Sequence, residues 1–195
     1  MKIIYIHGFL STSNAQKAQI LRRELKDYSD IEFQSVDYPD DLEYSIESLS
    51  EIIKKDLKAG VKPFLIGSSL GGFLSIILSV RFDLKIALIN PCLYPSAWIK
   101  KMGYIGKTLT NFDSGESFEV RPEAVAYVEQ LEKELTSYRK DKTMVLLQTG
   151  DEVLDYRYSL GFFKDIDVDV EGGGSHRYDN FESKIGKILK FFEEN

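Results

Sequence analysis

The chain has 195 residues, 43% of them hydrophobic and 29% charged, and 31 acidic against 25 basic side chains give a net charge of -6. This length favours one domain, and the hydrophobic fraction is too high for a disordered chain. The acidic balance argues against nucleic acid as a partner, because proteins that bind the phosphate backbone usually carry a basic face. With one cysteine, Cys92, no intrachain disulfide can form, and we interpret it as a small buried apolar residue.

The N-terminal apolar run contains His7 and lacks a small-residue cleavage site, so we interpret it as a strand and not as a signal peptide. The comparable run at residues 73–80 is far shorter than the roughly 20 residues that cross a bilayer. We therefore expect a cytoplasmic protein that does not bind membranes.

Six short apolar runs predict β-strands, at residues 2–7, 31–36, 61–66, 85–90, 143–149 and 166–171. Most lack polar alternation, which is typical of strands buried on both faces, whereas the sixth alternates and predicts an edge strand. Between the strands, apolar residues recur at helical spacing, around residues 15–25, 42–57, 70–81, 125–135 and 181–192. This alternation predicts a single α/β domain over residues 1–195, with a parallel sheet in the order 2-1-3-4-5-6.

About fifty residues separate the fourth and fifth predicted strands, which is too long for a plain connection. We therefore expect an inserted helical cap at about residues 93–140. The cap is rich in aromatic residues, which either line a substrate pocket or pack the cap itself, and we favour packing. The candidate substrate contacts, here and in the first loop, are His7, Tyr94, Trp98 and Met102.

Residues 67–71, Gly-Ser-Ser-Leu-Gly, follow the third predicted strand and fit the pattern G-x-S-x-G. In a nucleophile elbow the serine occupies a strained strand-to-helix turn, and glycine two residues before and after it avoids collisions of a Cβ atom. Ser69 has glycine at both positions and Ser68 at neither, so Ser69 is the candidate nucleophile. The motif alone is equally compatible with a helix N-cap. A phosphate-binding loop fits less well, because no lysine follows the glycines.

A serine nucleophile needs a base, and the chain has two histidines, His7 and His176. His176 follows a glycine-rich loop after the last predicted strand, where it can reach the carboxyl edge of the sheet. The order Ser, Asp or Glu, His is the one α/β-hydrolases use. Asp151 follows the fifth strand and one glycine, so it is the first choice of acid, with Glu152 and Asp155 as rivals. The hypothesis is a triad of Ser69, Asp151 and His176.

The first and third strands are expected to be neighbours, and ligands bind at such a switch point of an open sheet. There the backbone amides of Phe9 and Leu70 would form an oxyanion hole. His7 lies in the same turn and precedes the serine along the chain, so we interpret it as holding the turn and not as the base.

Four segments resemble small bacterial esterases of the YqiA/YcfP type, namely residues 4–9, 67–72, 148–156 and 171–176. The resemblance extends from residue 2 to about 192 and is weakest over 93–140. It implies a three-layer α/β-hydrolase fold, with a minimal six-stranded, mostly parallel sheet and a small helical cap. It also implies hydrolysis of carboxylic esters, including acyl-CoA thioesters, with Ser69 as nucleophile, Asp151 as acid and His176 as base. One departure is the Gly-Gly-Gly-Ser before His176, where Gly-Gly-Asn is expected.

The main hypothesis is thus a serine hydrolase that acts on a small ester or thioester through an acyl-enzyme, with no metal or organic cofactor. Two alternatives stay open: a non-catalytic binding protein of the same fold, and a flavodoxin-like nucleotide binder. Lys100, Lys101 and Lys107 could meet an anionic group such as the phosphates of coenzyme A, although we favour a solvated surface for them. The oligomeric state is left undetermined.

Overall fold

A computed structural model describes residues 1–194. Eight strands occur in chain order: β1 Lys2–Ile6, β2 Glu32–Val36, β3 Phe64–Ser68, β4 Ile86–Ile89, β5 Thr108–Thr110, β6 Ser117–Glu119, β7 Thr143–Gln148 and β8 Val168–Glu171. Seven α-helices lie between and after them: α1 Gln16–Leu25, α2 Leu42–Lys58, α3 Leu70–Phe82, α4 Pro95–Lys101, α5 Pro122–Glu132, α6 Tyr156–Phe162 and α7 Ile185–Glu193.

Six strands form one parallel sheet in the order β2-β1-β3-β4-β7-β8. Since β7 and β8 are the fifth and sixth strands predicted from the sequence, the predicted order is confirmed, and so is the edge position of the last strand. The third strand was placed too early, at 61–66 instead of Phe64–Ser68. Pro63 precedes it and has no N–H to donate to a neighbouring strand, so pairing begins after it.

The sheet is covered on both faces, which gives three layers. On one face, α2, α3 and α5 pack over a core that includes Ile6, Leu65 and Leu88. On the other face, α1 and α7 pack over Ile3, Ile66 and Ile89. The alternation of neighbouring residues such as Leu65 and Ile66 between the two cores is the two-residue period of a strand buried on both sides.

Residues 93–140, where the sequence predicts a cap, contain α4, a two-stranded antiparallel hairpin of β5 and β6, and α5. The hairpin and α6 were not predicted. The start of α5 is tied to the start of α2, because Arg121 forms ion pairs with Asp41 at 2.9 Å and Glu43 at 2.6 Å. Of the helices within residues 1–194, none is both long and apolar enough to cross a membrane.

Candidate active site

Ser69 stands in a strained turn between β3 and α3. Its backbone has φ 54° and ψ −119°, a left-handed conformation that a residue with a Cβ rarely adopts. The turn is held on both sides, since the Ser69 amide donates to the carbonyl of Ile89 at 3.1 Å and its carbonyl accepts from the amide of Cys92 at 3.0 Å. The end of β4 and the segment after it therefore hold this strained backbone, which is the arrangement of a nucleophile elbow.

The glycines around Ser69 are required by close packing. A Cβ on Gly67 would overlap the backbone of Gly71, and one on Gly71 would overlap the carbonyl oxygens of Ile6 and His7. A Cβ on Gly72 would lie 2.7 Å from the Cβ of Pro91. The start of α3 can thus approach β1 and β4 closely enough to lift Ser69 to the carboxyl edge of the sheet only when these positions lack side chains.

The structure brings Ser69, His176 and Asp151 together. His176 Nε2 lies 3.0 Å from Ser69 Oγ, and His176 Nδ1 lies 2.8 Å from Asp151 Oδ2. The Asp151 side chain is 1% exposed and that of His176 is 19% exposed. The buried carboxylate therefore contacts the imidazole on one side, while the other ring nitrogen reaches a partly accessible serine.

The two rival acids have other contacts. Glu152 Oε2 accepts a hydrogen bond from the backbone amide of His176 at 2.9 Å, which lowers the pKa of this exposed carboxyl. Asp155 accepts from the Arg157 amide and caps the start of α6. The remaining oxygen of Asp151, Oδ1, accepts the amides of Val153 and Leu154 at 2.9 and 2.8 Å. Of the three, Asp151 is thus the carboxylate that contacts the imidazole.

Two buried amide side chains, which the sequence analysis missed, hold the loop that carries His176. Gln148 Oε1 accepts the amides of Ser175 at 3.1 Å and Asp179 at 2.8 Å. Asn90 Nδ2 donates to the carbonyl of Ser175 at 3.0 Å, and Asn90 Oδ1 accepts from the Gln148 amide at 3.0 Å. Their position in the sequence could have indicated them, because each is a polar residue at or just after the end of an otherwise apolar strand.

The loop after β1 runs alongside Ser69. A Cβ on Gly8 would lie 3.3 Å from the Cβ of Ser69, so the chain passes there at van der Waals distance. Neither the Phe9 amide nor the Leu70 amide has an acceptor within the described chain. Leu70 is the first residue of α3, where the helix dipole favours negative charge. Two unpaired N–H groups therefore lie in the segments that border the Ser69 hydroxyl.

His7 is buried beneath this loop and stacks on Tyr38 with ring centroids 4.3 Å apart. His7 Nδ1 lies 2.9 Å from the Gly8 carbonyl, and the Tyr38 hydroxyl donates to the His7 carbonyl at 2.6 Å. Burial lowers the pKa of His7, so the neutral imidazole is favoured. These contacts hold the turn, as the sequence analysis expects of this residue.

A second set of contacts ties the loop to the hairpin. Asp40 Oδ1 accepts the Leu10 amide at 3.2 Å, and Asp40 Oδ2 accepts from Asn111 Nδ2 at 2.8 Å. The same Asn111 group lies 2.9 Å from the Ser11 carbonyl. Asn111 follows β5, so the hairpin supports the backbone next to the unpaired Phe9 amide.

A cavity of about 540 Å³ opens in front of Ser69. It is lined by residues of the loop after β1, the start of α1, the elbow, α4 and the two loops that follow β7 and β8, among them Phe9, Lys17, Leu70, Trp98, His176 and Arg177. A space of this size holds a small organic substrate.

Of the four candidate substrate contacts, Trp98 lines the cavity and the other three do not. His7 is 1% exposed and lies behind the loop, whereas Tyr94 and Met102 are 48% and 44% exposed on the outer surface of the cap. These three residues therefore leave the set of substrate contacts. Trp98 packs against Phe9 at 5.9 Å and Tyr104 at 5.7 Å between centroids, so it joins the aromatic core of the cap to the cavity.

Neither the three candidate lysines of the cap nor Cys92 offers a reactive or anion-binding group to the cavity. The cavity lining includes none of Lys100, Lys101 and Lys107, and Lys100 pairs with Glu129. Cys92 borders the cavity but is buried, and burial raises the pKa of its thiol to about 12. Within residues 1–194, no three His, Cys, Asp or Glu side chains are grouped so that they could hold a metal ion.

A family model matches almost the whole chain, over residues 2–193, and describes the uncharacterised protein family UPF0227. The chain belongs to this family. A UPF0227 protein of Pectobacterium carotovorum is 26% identical over 198 residues, which are 97% of each chain. The UPF0227 protein YcfP of Salmonella typhimurium is 24% identical over 200 residues, again 97% of each chain. The resemblance that the sequence analysis identified is therefore confirmed.

Solved structures place this UPF0227 chain in a known fold. Est1E of Butyrivibrio proteoclasticus, bound to ferulic acid, has a TM-score of 0.71 at 19% identity, with 98% of this chain and 87% of that one covered. Mouse alpha/beta hydrolase domain-containing protein 10 has a TM-score of 0.71 at 18% identity, with 97% and 89% covered. A monoacylglycerol lipase of Paleococcus ferrophilus reaches 0.67 at 15% identity, with 96% and 91% covered. The chain has the α/β-hydrolase fold, as predicted, which speaks against the flavodoxin-like alternative.

Proposed function

We propose that this protein is a serine hydrolase that cleaves carboxylic esters or thioesters of small molecules through an acyl-enzyme on Ser69. One observation carries the proposal: a continuous chain of hydrogen-bonding atoms runs from buried Asp151 through His176 to the strained Ser69. A strained serine with a base at 3.0 Å and a buried acid behind the base is the constellation that activates a hydroxyl for acyl transfer.

The first step forms the acyl-enzyme. A carboxylate only accepts hydrogen bonds, so His176 Nδ1 carries the proton that bonds Asp151, and Nε2 is left as the acceptor for Ser69. Ser69 Oγ attacks the carbonyl carbon as its proton moves to Nε2. Asp151 then stabilises the imidazolium that forms.

The attack places a negative charge on the former carbonyl oxygen. The Phe9 and Leu70 amides, which have no acceptor within the described chain, are the donors for this oxyanion. Loss of one donor of this kind costs roughly 3 to 4 kcal/mol of transition-state stabilisation. The contacts of His7, Tyr38, Asp40 and Asn111 would hold the Phe9 side of this hole in place.

Loss of the leaving group completes the first step: His176 gives its proton to the departing alcohol or thiol, whose bond to the acyl carbon breaks, and the acyl group stays on Ser69. The second step returns the enzyme to its starting state. Water then attacks the acyl-enzyme with His176 again as base, which releases the acid and restores the Ser69 hydroxyl. The sum is one ester or thioester and one water converted to an acid and an alcohol or thiol.

The substrate class is supported by the cavity and by the neighbours. Apolar side chains around the serine, including Phe9, Leu70 and Trp98, suit the hydrocarbon part of an ester. The Paleococcus protein is named as a monoacylglycerol lipase, and Est1E binds ferulic acid. The same attack on a carbonyl serves oxygen esters and thioesters, so both belong to the proposal.

The decisive experiment compares Ser69→Ala with Ser29→Ala on p-nitrophenyl butyrate. Ser29 is exposed on the loop after α1 and serves as a matched control for loss of a hydroxyl. Turnover is expected to fall by roughly 10³-fold or more in Ser69→Ala and to stay at the wild-type level in Ser29→Ala. Unchanged turnover by a folded Ser69→Ala protein would overturn the proposal.

A fluorophosphonate probe gives an independent test, because it labels an activated serine without any assumption about the substrate. The wild-type protein is expected to be labelled on Ser69, and the Ser69→Ala variant is not. A folded wild-type protein that resists the probe would favour the alternative of a non-catalytic binding protein with this fold.

A further inference from the structure

The cavity in front of Ser69 has two walls of opposite character, supplied by opposite faces of the sheet. One wall comes from the face that carries α2, α3 and α4 and is apolar, with Leu42, Leu70, Trp98 and Ile99. The other comes from the start of α1 and from the loop after β8 and contains Gln16, Lys17 and Arg177. The serine stands between the walls, so a substrate bound there would touch both.

Lys17 is the unusual residue of the second wall. Its side chain belongs to the cavity lining, yet the residue is only 9% exposed. Within residues 1–194 the ammonium has no hydrogen-bonded partner, and burial, together with the charge of Arg177, lowers its pKa to about 8. The Lys17 nitrogen is not among the fully buried unpaired polar atoms of the described chain, so the stem of the side chain is buried while the ammonium stays accessible. Because the residue lines the cavity, this unpaired charge is available to an anionic group there.

Within the part of the chain that the structure describes, no carboxylate forms a direct ion pair with Lys17. Asp151 attracts its charge, but both Asp151 oxygens are occupied, Oδ2 by His176 and Oδ1 by two backbone amides. The cavity lining itself contains one carboxylate, Asp113, which is exposed on the turn between β5 and β6 and forms no ion pair within the described chain.

Two further features add positive potential beside Lys17. Arg177 directly follows His176, is exposed, and has no ion pair among the described residues. The start of α1 is bare, since its N-cap Ala15 offers no side-chain acceptor and its first turn has no acidic residue. The Gln16 and Lys17 amides likewise have no backbone acceptor there. The first-turn amides of a helix favour a bound anion.

We propose that Lys17 and Arg177, with the first turn of α1, form a subsite for an anionic group, a carboxylate or phosphate, that is part of the substrate. This inference rests on the proposed function and narrows its substrate class from small esters and thioesters in general to those with a negative charge on one side of the reacting carbonyl. The apolar wall would hold the hydrocarbon part while the anion pairs with Lys17. The charge belongs either to the acyl group or to the leaving group.

Three esters distinguish a charge on the acyl group from a charge on the leaving group. p-Nitrophenyl pentanoate is neutral, mono-p-nitrophenyl glutarate carries a carboxylate at the end of an acyl chain of the same length, and p-carboxyphenyl pentanoate carries it on the leaving group. The values of kcat/KM are measured for the wild type, Lys17→Met, Lys17→Arg, Arg177→Gln and Lys26→Met. Lys26 is an exposed lysine at the other end of α1 and serves as the matched control.

In Lys17→Met, kcat/KM for one of the anionic esters is expected to fall about tenfold or more relative to the neutral ester. The preference is the ratio of kcat/KM for the anionic ester to kcat/KM for the neutral ester. Lys17→Arg keeps the charge and is expected to keep part of this preference. Arg177→Gln is expected to lose a smaller part than Lys17→Met, and Lys26→Met is expected to keep all of it. A loss confined to the glutarate ester assigns the anion to the acyl group, and a loss confined to the carboxyphenyl ester assigns it to the leaving group.

Equal effects of Lys17→Met on all three esters, or no effect on any, would overturn the inference while leaving the esterase activity intact. A second readout is independent of turnover: glutarate is expected to raise the melting temperature of the Ser69→Ala variant, and Lys17→Met to abolish that shift. If the wild type hydrolyses none of the esters, the proposed function fails. A glutarate shift that is absent, or that survives Lys17→Met, counts against the subsite itself.

Discussion

The carboxyl edge of the sheet and the segment at residues 93–140, predicted as a cap, are built on different principles. At the edge, Ser69, Asp151 and His176 are each fixed by hydrogen bonds in which backbone groups take part, and the Asp151 side chain is almost fully buried. In the cap, some large side chains are buried against the core, such as Ile99, but others face outward, with Phe112 93% exposed and Tyr94 48% exposed. The edge sets the positions of reacting groups, whereas the cap supplies a surface from which few side chains, such as Trp98, enter the cavity.

This difference predicts a steep gradient of mutational effects from the edge to the cap. Residues that contact the imidazole are expected to control turnover by orders of magnitude. Residues of the cap are expected to act on substrate affinity, and then only where the side chain reaches the cavity.

The largest effect is expected at the acid. Asp151→Asn keeps the shape of the side chain but replaces an acceptor with an amide, which favours the wrong tautomer of His176. A fall in kcat of roughly 10³- to 10⁴-fold follows. The measurement is steady-state hydrolysis of p-nitrophenyl butyrate by the folded variant.

The adjacent acid provides the contrast. Glu152→Gln keeps an oxygen that can accept the His176 amide, so kcat is expected to stay within about twofold of the wild type. If Glu152→Gln were as damaging as Asp151→Asn, the assignment of Asp151 as the acid would be wrong.

The next effect is expected at a residue that positions the base. Gln148→Leu removes the acceptor of the Ser175 and Asp179 amides while keeping the volume of the side chain. His176 would then sample orientations away from Ser69, so kcat is expected to fall roughly 10- to 100-fold with little change in KM.

Gln130→Leu is the control for this change, since Gln130 lies exposed on α5. It should leave both constants unchanged. A Gln148→Leu protein that loses only melting temperature and keeps kcat would show that Gln148 supports the fold and not the geometry of the base.

Within the cap, a smaller effect separates two aromatic residues of the same segment. Trp98→Ala removes part of the apolar wall and the contact with Phe9, so KM for p-nitrophenyl butyrate is expected to rise by roughly 3- to 30-fold. Tyr94→Ala alters only the outer surface and should leave KM unchanged. Equal changes for both variants would mean that the cap acts as a unit and that the cavity wall has been assigned wrongly.

The edge was more predictable from sequence than the cap for a physical reason. The elbow, the acid after β7 and the histidine loop follow strands at short, fixed spacing, and glycine marks positions where no side chain fits. The order of the strands then brings these segments to one edge. Gln148 and Asn90 were missed because a single polar residue at a strand end has many uses, and its partner is known only once the fold is known.

The cavity residues of the cap were harder to predict, because the aromatic residues there lack a regular spacing. Tyr94 and Trp98 are four residues apart and are equally plausible cavity residues by type. In the structure they differ in position. Tyr94 is the N-cap before Pro95 and faces outward, whereas Trp98 lies in α4 against Phe9 and Tyr104 and lines the cavity. Lys17 was not singled out either, since a lysine in an amphipathic helix is ordinarily solvated.

The smallest expected effect is on the free energy of unfolding, which the substitution Lys17→Met in the proposed anion subsite is expected to raise. The pKa of Lys17 is about 8 in the folded chain and near 10.5 when unfolded, so the folded state binds fewer protons between these values. Stability of the wild type therefore rises with pH across that window, and the cost of burying the charge is fully present below about pH 8. Lys17→Met removes this cost and is expected to raise the free energy of unfolding by roughly 1 to 3 kcal/mol at pH 7.

In a thermal melt at pH 7, this gain corresponds to a rise in Tm of roughly 2 to 12 °C, and it should shrink as the pH approaches 10. Lys26→Met, which removes a solvated lysine from the same helix, should show neither the gain nor its dependence on pH. A Lys17→Met protein that is less stable than the wild type at pH 7 would show that the ammonium is already compensated within the fold. The inference of an anion subsite would then fail, because a lysine whose charge is compensated by the protein does not require an anionic substrate.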